Sequence, residues 1–264
     1  MPQKAIVSVS CTSVSISILQ KAKLFAKNNG LTFFTKPDTQ TPYSLHYTDE
    51  LVELIINGTS RKTIRPKPLS VDFEKGDIGY RHHQNLTIRQ PLAKAVGISS
   101  GKRPLIFDAT AGLGGDSFVF ASLGCKVLLC ERSPIIAALL DDGLLRALQN
   151  PESIGQAAKR MQLYTGDAKN ILATFQEKPH TIYFDPMYPH SKKTALNRIE
   201  MRVIRDLVGE DDDSDETLRL ALQHAGKRVV VKRPKGAEHV ANLKPTHTTA
   251  MKNSRFDVYL TPYL

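Results

Sequence analysis

The 264-residue chain carries only three cysteines, Cys11, Cys125 and Cys130, with no Cys-x-x-Cys pair. An odd count without metal-type spacing argues against a disulfide scaffold or thiolate metal site and predicts reduced thiols in a cytoplasmic protein. No stretch approaches the roughly 18 consecutive apolar residues that span a bilayer. The opening Met1-Pro-Gln-Lys-Ala-Ile-Val-Ser lacks a long apolar segment, so neither a signal peptide nor a membrane partner is expected. Eight histidines show no metal-ligand spacing, and no metal is expected; His82-His83 reads as a surface pair or an RNA contact. Internal repeats and low-complexity tracts are absent. With 16 glycines, 15 prolines, 41% apolar and 23% charged residues, the composition is globular. Disorder, collagen and coiled coil are thereby excluded. The length suits one main domain plus an extension.

Charge is what the chain has in excess. The formal net charge is +10, and it is uneven. Residues 1–104 hold 15 basic against 7 acidic side chains, and residues 105–264 hold 21 against 19. A basic front joined to a near-neutral body suggests a polyanion-binding appendage. Residues 1–75 read as a small α+β extension. Short strands fall at Ala5–Ser10, Leu31–Thr35, Ser44–Thr48 and Glu50–Ile56. A helix runs from Ser13, its N-cap, to Asn28, and Asn57-Gly58 supplies a turn. Arg61-Lys62-Thr-Ile-Arg65-Pro-Lys67-Pro packs four cations around two prolines. The prolines argue against a helix, leaving a solvated linker or a phosphate-contacting arm led by Arg61 and Lys62. Residues 76–103 read as a linker or helix leading into the core.

From 104 to 264 the pattern alternates short apolar strands with helical runs. Strands are expected at Leu105–Phe107, Lys126–Cys130, Gln162–Thr165, Thr181–Phe184 and Arg228–Val231. Helices are expected at Asp116–Leu123, Pro134–Gln149, Ala168–Phe175, Ala195–Val208 and Ser214–His224, the second opened by Ser133 as N-cap and Pro134 at the first position. This alternation predicts an α/β fold: a doubly wound, mostly parallel sheet with helices on both faces. His247–Lys252 and Arg255–Thr261 are separated by only Asn253-Ser254. Too short for a parallel crossover, that link predicts an antiparallel hairpin at one sheet edge. The acidic run 210–216 reads as a solvated loop before the next helix.

Phe107-Asp108-Ala-Thr-Ala-Gly112-Leu-Gly114-Gly115-Asp116 follows the first core strand and opens a helix, and its glycines allow a ligand to approach the backbone. No Gly-Lys-Ser/Thr follows, so it is not a phosphate-binding P-loop. Ser117 stands where a dinucleotide loop needs its third glycine. Asp108 and Asp116, flanking the turn, suit a cationic ligand better than a pyrophosphate, and S-adenosylmethionine combines an ammonium with a sulfonium. Glu131 ends the next strand, where a carboxylate can accept from both ribose hydroxyls. Arg132 beside it can lie against adenine, and Asp167, with Ala168, ends the third strand within reach of the adenine amino group. Carboxyl ends of strands are where open α/β sheets bind ligands.

Tyr183-Phe-Asp185-Pro186-Met187-Tyr188-Pro189-His190 ends the fourth strand and is close to the Asp-Pro-Pro-Tyr loop of amino-group methyltransferases. An exocyclic base amine is a weak nucleophile because its lone pair is delocalised into the ring. Asp185 and a backbone carbonyl near Pro186 can each accept an N–H, turning the lone pair towards the methyl group. Tyr188 can stack on a flipped base. Lys192 and Lys193 follow this loop, and Lys232 and Arg233 leave the fifth strand on the same rim, all four expected to meet RNA phosphates.

Six runs carry a resemblance: Asp108 to Asp116, Glu131-Arg132-Ser-Pro-Ile-Ile-Ala-Ala-Leu-Leu-Asp-Asp-Gly143, Asp185-Pro-Met-Tyr-Pro-His190, Glu200-Met-Arg-Val, Arg228-Val-Val-Val-Lys-Arg-Pro234 and Arg255-Phe-Asp-Val-Tyr259. Over roughly residues 92–260 the chain resembles the ribosomal RNA small subunit methyltransferase J family. The resemblance implies a class I, seven-stranded Rossmann-like sheet and methylation of a guanosine N2 amine in bacterial 16S rRNA, free or in the 30S particle. It implies adenosylmethionine contacts from Gly115, Asp116, Glu131, Arg132, Asp167, Ala168 and Asp185, alongside Asp108, Gly112 and Gly114 of the loop. Arg81 to Arg89 replaces the family's glycine-rich stretch, and residues 1–75 show little likeness. Amine methylation of DNA or another RNA, and a non-catalytic RNA-binding or assembly role, remain alternatives.

Overall fold

The computed structural model describes residues 6–57, 66–75, 86–186, 197–209 and 213–261, and of residues 197–201 the backbone alone. The front of the chain forms β1 (Val7–Cys11), α1 (Ile16–Asn28), β2 (Phe33–Phe34), β3 (Tyr43–Tyr47) and β4 (Val52–Ile56). Their sheet runs β2-β1-β3-β4, with β1 parallel to both neighbours and β4 antiparallel to β3. Every residue of β1 and β3 is buried, as in strands covered on both faces. The first helix begins two residues later than its sequence suggests, with Ser15 at the N-cap. Ser13 is drawn off because its hydroxyl donates to Asp49 and accepts from the Ser15 N–H.

The rest supplies α2 (Pro91–Ala95), β5 (Ile106–Asp108), α3 (Gly115–Ser122), β6 (Val127–Glu131), α4 (Pro134–Leu148), α5 (Ser153–Ala158), β7 (Met161–Thr165) and α6 (Ala168–Thr174). Then come β8 (Thr181–Phe184), α7 (Asn197–Val208), α8 (Ser214–His224), β9 (Arg228–Pro234), β10 (His247–Ala250) and β11 (Ser254–Leu260). The five residues of α2 lie within the 76–103 segment expected as linker or helix, while the six of α5 were missed, being too short for a 3.6-residue repeat to register. The seven-stranded sheet has the order β10-β11-β9-β8-β5-β6-β7. Strands β5 to β9 pair in parallel. The predicted hairpin is there: β10 pairs antiparallel with β11, and β11 antiparallel with β9, at the sheet edge. Ser133 caps α4 through the Ile136 N–H, with Pro134 in the first turn.

Winding proceeds from β5 outward through β6 and β7, then returns to the other side of β5 for β8 and β9. The border of β5 and β8 is thus the topological switch point, where adjacent loops part and leave a crevice at the strand ends. Alternation along β9 sends Val230 into one apolar cluster and Val229 and Val231 into another. The first cluster does not stop at the seven-stranded sheet. It runs from Val9, Leu45 and Leu54 of the small sheet through Val71 and Phe73 to Leu139, Leu140 and Leu144 of α4 and Leu129 of β6. Among the described residues no helix is long and apolar enough to cross a membrane.

Candidate functional site

Four strand ends open onto one cleft. Ala109, Thr110 and Gly112 line it after β5, Cys130 to Arg132 at β6, Asp167 and Ala168 after β7, and Phe184 and Asp185 at β8. Ile204 and Val208 of α7, with Asp213 and Thr217 at the start of α8, close the remaining side. Of these residues Glu131, Asp167, Asp185 and Asp213 are acidic and Arg132 alone is basic. Such a lining favours a cationic ligand with a polar sugar, and its donors and acceptors fit adenosylmethionine.

Each acid is held in a definite way. Glu131 is buried, with Gly112 N–H donating to Oε2 at 2.9 Å and Ser133 N–H donating to Oε1 at 2.7 Å. The glycine loop is thereby tied to the tip of the next strand. Gly112 has φ +54° and Gly114 φ +80°, values that glycine adopts without penalty. Asp167 caps α6 by accepting from the Lys169 N–H at 2.8 Å. Asp213 pairs with Lys169 at 3.0 Å and with Arg132 at 3.5 Å. Burial works to raise its pKa, but these cations hold it below the usual carboxylate range. The acidic run read as a solvated loop therefore places one member in the cleft wall. Asp185 is fixed from behind, its N–H donating to Thr110 Oγ1 at 2.7 Å.

The other predicted residues sit around the cleft, not on it. Asp108 is 2% exposed and points away from the lining, accepting from Ser117 Oγ at 2.6 Å and from the Thr110 N–H at 3.1 Å. Burial pushes its pKa up to about 7, against those two hydrogen bonds and with help from Asp116 and Asp185. Gly114 caps α3 and Gly115 is its first residue. Asp116, one residue further, accepts from Tyr183 Oη at 2.7 Å and pairs with Lys232 at 2.9 Å.

Lys232 and Arg233, expected to face phosphates, turn inward. Lys232 Nζ lies 2.8 Å from Asp185 Oδ2 and 2.9 Å from Asp116 Oδ2. Burial opposes its charge, but the two carboxylates outweigh it and raise its pKa above that of an ordinary lysine. Arg233, on the opposite face of β9, is buried and donates to the Glu238 carbonyl. Nothing in the Lys-Arg dipeptide distinguishes this from a surface pair; only the alternation of β9 beside β8 and β11 does. Pro186 is buried beside Asp185. Arg61, Lys62, His82-His83, Tyr188, Lys192 and Lys193 lie outside the described residues.

Thr110, Tyr183, Ile204, Val208 and Asp213 were not legible as site residues. Thr110 and Tyr183 sit inside quoted motifs, and their proximity to the carboxylates could have flagged them. Ile204 and Val208 looked like any apolar helix positions.

A family model described as "Putative SAM-dependent methyltransferase" matches residues 26–261. The chain is 58% identical over 198 residues to ribosomal RNA small subunit methyltransferase J of Desulfotalea psychrophila, covering 75% of this chain and 76% of that protein. It is 48% identical over 220 residues to the protein of the same name from Aeromonas salmonicida, covering 83% and 86%. The crystal structure of a SAM-dependent methyltransferase from Neisseria gonorrhoeae superposes with a TM-score of 0.73 at 33% identity, covering 96% of this chain and 95% of that one.

Proposed function

The chain belongs to the ribosomal RNA small subunit methyltransferase J family of adenosylmethionine-dependent enzymes, and from that premise we propose that it methylates the N2 amine of a guanosine in small-subunit rRNA, within the 30S particle and in the cytoplasm. The observation that carries this reading is the convergence of Glu131, Asp167 and Asp185 from three strand ends onto one anionic cleft.

Adenosylmethionine supplies a methyl group on a positively charged sulfur. Glu131, clamped by two backbone N–H groups, would accept from the ribose hydroxyls, and Arg132 would flank the base. Asp167 receives the adenine amino group. Ile204 and Val208 cover this end and exclude water, which strengthens each electrostatic contact inside. Asp185 accepts an N–H of the target amine, and the backbone at Pro186 accepts the other. The nitrogen lone pair would then be turned towards the cofactor's methyl group. As the C–S bond of the bound cofactor yields to the new N–C bond, its electron pair staying on sulfur, the Asp185 carboxylate would stabilise the charge arriving on nitrogen. A proton leaves nitrogen by way of Asp185. Tyr188 stacks on the extruded base, and Lys192, Lys193, Arg61 and Lys62 contact phosphates.

The test is transfer of labelled methyl from adenosylmethionine into small subunits that lack the modification. Wild-type protein should label one guanosine at N2. Asp185→Ala should lower turnover by about 10²–10³-fold, the loss typical of a removed transition-state contact. Normal turnover by that variant, or label on another atom, would overturn the proposal.

A further inference from the structure

Asp185 separates two environments. One side faces the cofactor cleft. On the other, Oδ2 meets the ammonium of Lys232, which Asp116 holds in turn, and Tyr183 Oη fixes Asp116 from the core. Tyr183 is 1% exposed and wedged between Phe120 and Phe256. The chain of contacts therefore ends in a rigid wall. The Lys232 and Asp185 side chains remain 29% and 37% exposed, so a base that reaches Asp185 also meets Lys232. From the cleft outward the pair presents carboxylate acceptors and then an ammonium donor.

Guanine has the matching edge. Its N2–H and N1–H are donors, and O6 is an acceptor next in line. Adenine and cytosine place an acceptor nitrogen beside their amine, which would confront the carboxylate. We propose that Lys232 is a specificity-determining residue of this site: its ammonium, positioned by Asp116 and Asp185, donates to O6 of the target guanine while Asp185 receives N1–H and N2–H. The proposal rests on the guanine-N2 reading above. It also accounts for a lysine at the rim being paired with two carboxylates instead of extending to solvent.

The test uses small subunits reconstituted with 2-aminopurine at the target position, which keeps the N2 amine but lacks O6 and N1–H. Single-turnover methylation by wild-type protein should be slower on this substrate by about 100-fold or more, since a site built around polar partners rejects an analogue lacking them. Lys232→Met should slow the guanosine substrate by about 10- to 100-fold, the range for losing a charge-assisted hydrogen bond, and should slow the 2-aminopurine substrate much less, so that discrimination narrows by about the same factor and keeps the part due to N1–H at Asp185. Its adenosylmethionine affinity, measured by calorimetry, should stay near wild type and reports that the variant is folded. Equal wild-type rates on both substrates would overturn the proposal, and that comparison needs no variant. A folded Lys232→Met protein that slows both substrates equally would also overturn it, leaving Lys232 as a support for Asp185. Absence of guanosine N2 methylation by wild-type protein would instead strike the functional reading itself.

Discussion

At the residue scale, burial of the Asp108 carboxyl bears on stability. It lies at the carboxyl end of β5, is buried, and its pKa of about 7 exceeds the value near 3.8 of a free aspartate, chiefly because burial penalises its charge. A carboxyl raised in the fold holds its proton longer there than in the unfolded chain. Its contribution is therefore favourable at low pH and is lost as pH rises from about 4 through 7. The change amounts to at most about 4 kcal/mol, at 1.36 kcal/mol per pKa unit. Asp108→Asn removes the ionisation while keeping an acceptor for the Thr110 N–H and a partner for Ser117. Urea unfolding should show the variant gaining more stability over wild type at pH 8 than at pH 5, and least at pH 4; an equal difference throughout would refute the assignment. That acids gather at the strand ends was legible from sequence, but how the fold holds each one was not. Asp108 and Glu131 end strands and Asp167 follows one, yet only the last two line the cleft, because Asp108 is buried and turned to Ser117 and the Thr110 N–H.

Among the elements, α4 has the most to reconcile. Its start was readable from Ser133-Pro134, and its apolar positions mark it as a core helix. Gly143 in its middle has no local explanation, since an exposed alanine there would be better by about 1 kcal/mol. The segment containing Val71 supplies the reason. A Cβ at position 143 would lie 2.5 Å from Val71 Cγ1 and 3.0 Å from the Val71 carbonyl oxygen. Arg146, one turn on, donates to that same carbonyl. Valine is branched and packed, so it cannot move aside. Gly143→Ala should destabilise the protein by about 1–3 kcal/mol, as overpacking does, in chemical denaturation. Adding Val71→Ala should recover part of that loss, and an additive double variant would show the two positions to be uncoupled.

For the whole molecule, the apolar cluster joining both sheets decides how the front behaves. Composition suggested a basic appendage on residues 1–75. Its strands instead share a cluster with α4 and β6, through Leu45, Leu54, Val71 and Phe73 on one side and Leu139, Leu140 and Leu129 on the other. Removing residues 1–75 would expose that face of α4, so the truncated chain should be insoluble or melt well below the full chain in calorimetry. A soluble fragment with a wild-type melting temperature would contradict a shared core. Periodicity, strand-end acids, glycine loop and the two-residue Asn253-Ser254 link determined the class of fold, the hairpin at its edge and the chemistry of the cofactor, because each depends on residues near one another in the chain. The inward pairing of Lys232, the Asp213 wall, the Ile204–Val208 cover and the seating of Val71 on Gly143 were decided by tertiary structure alone. Each joins segments far apart in sequence, and a side chain carries no local mark of the partner that the fold will bring to it.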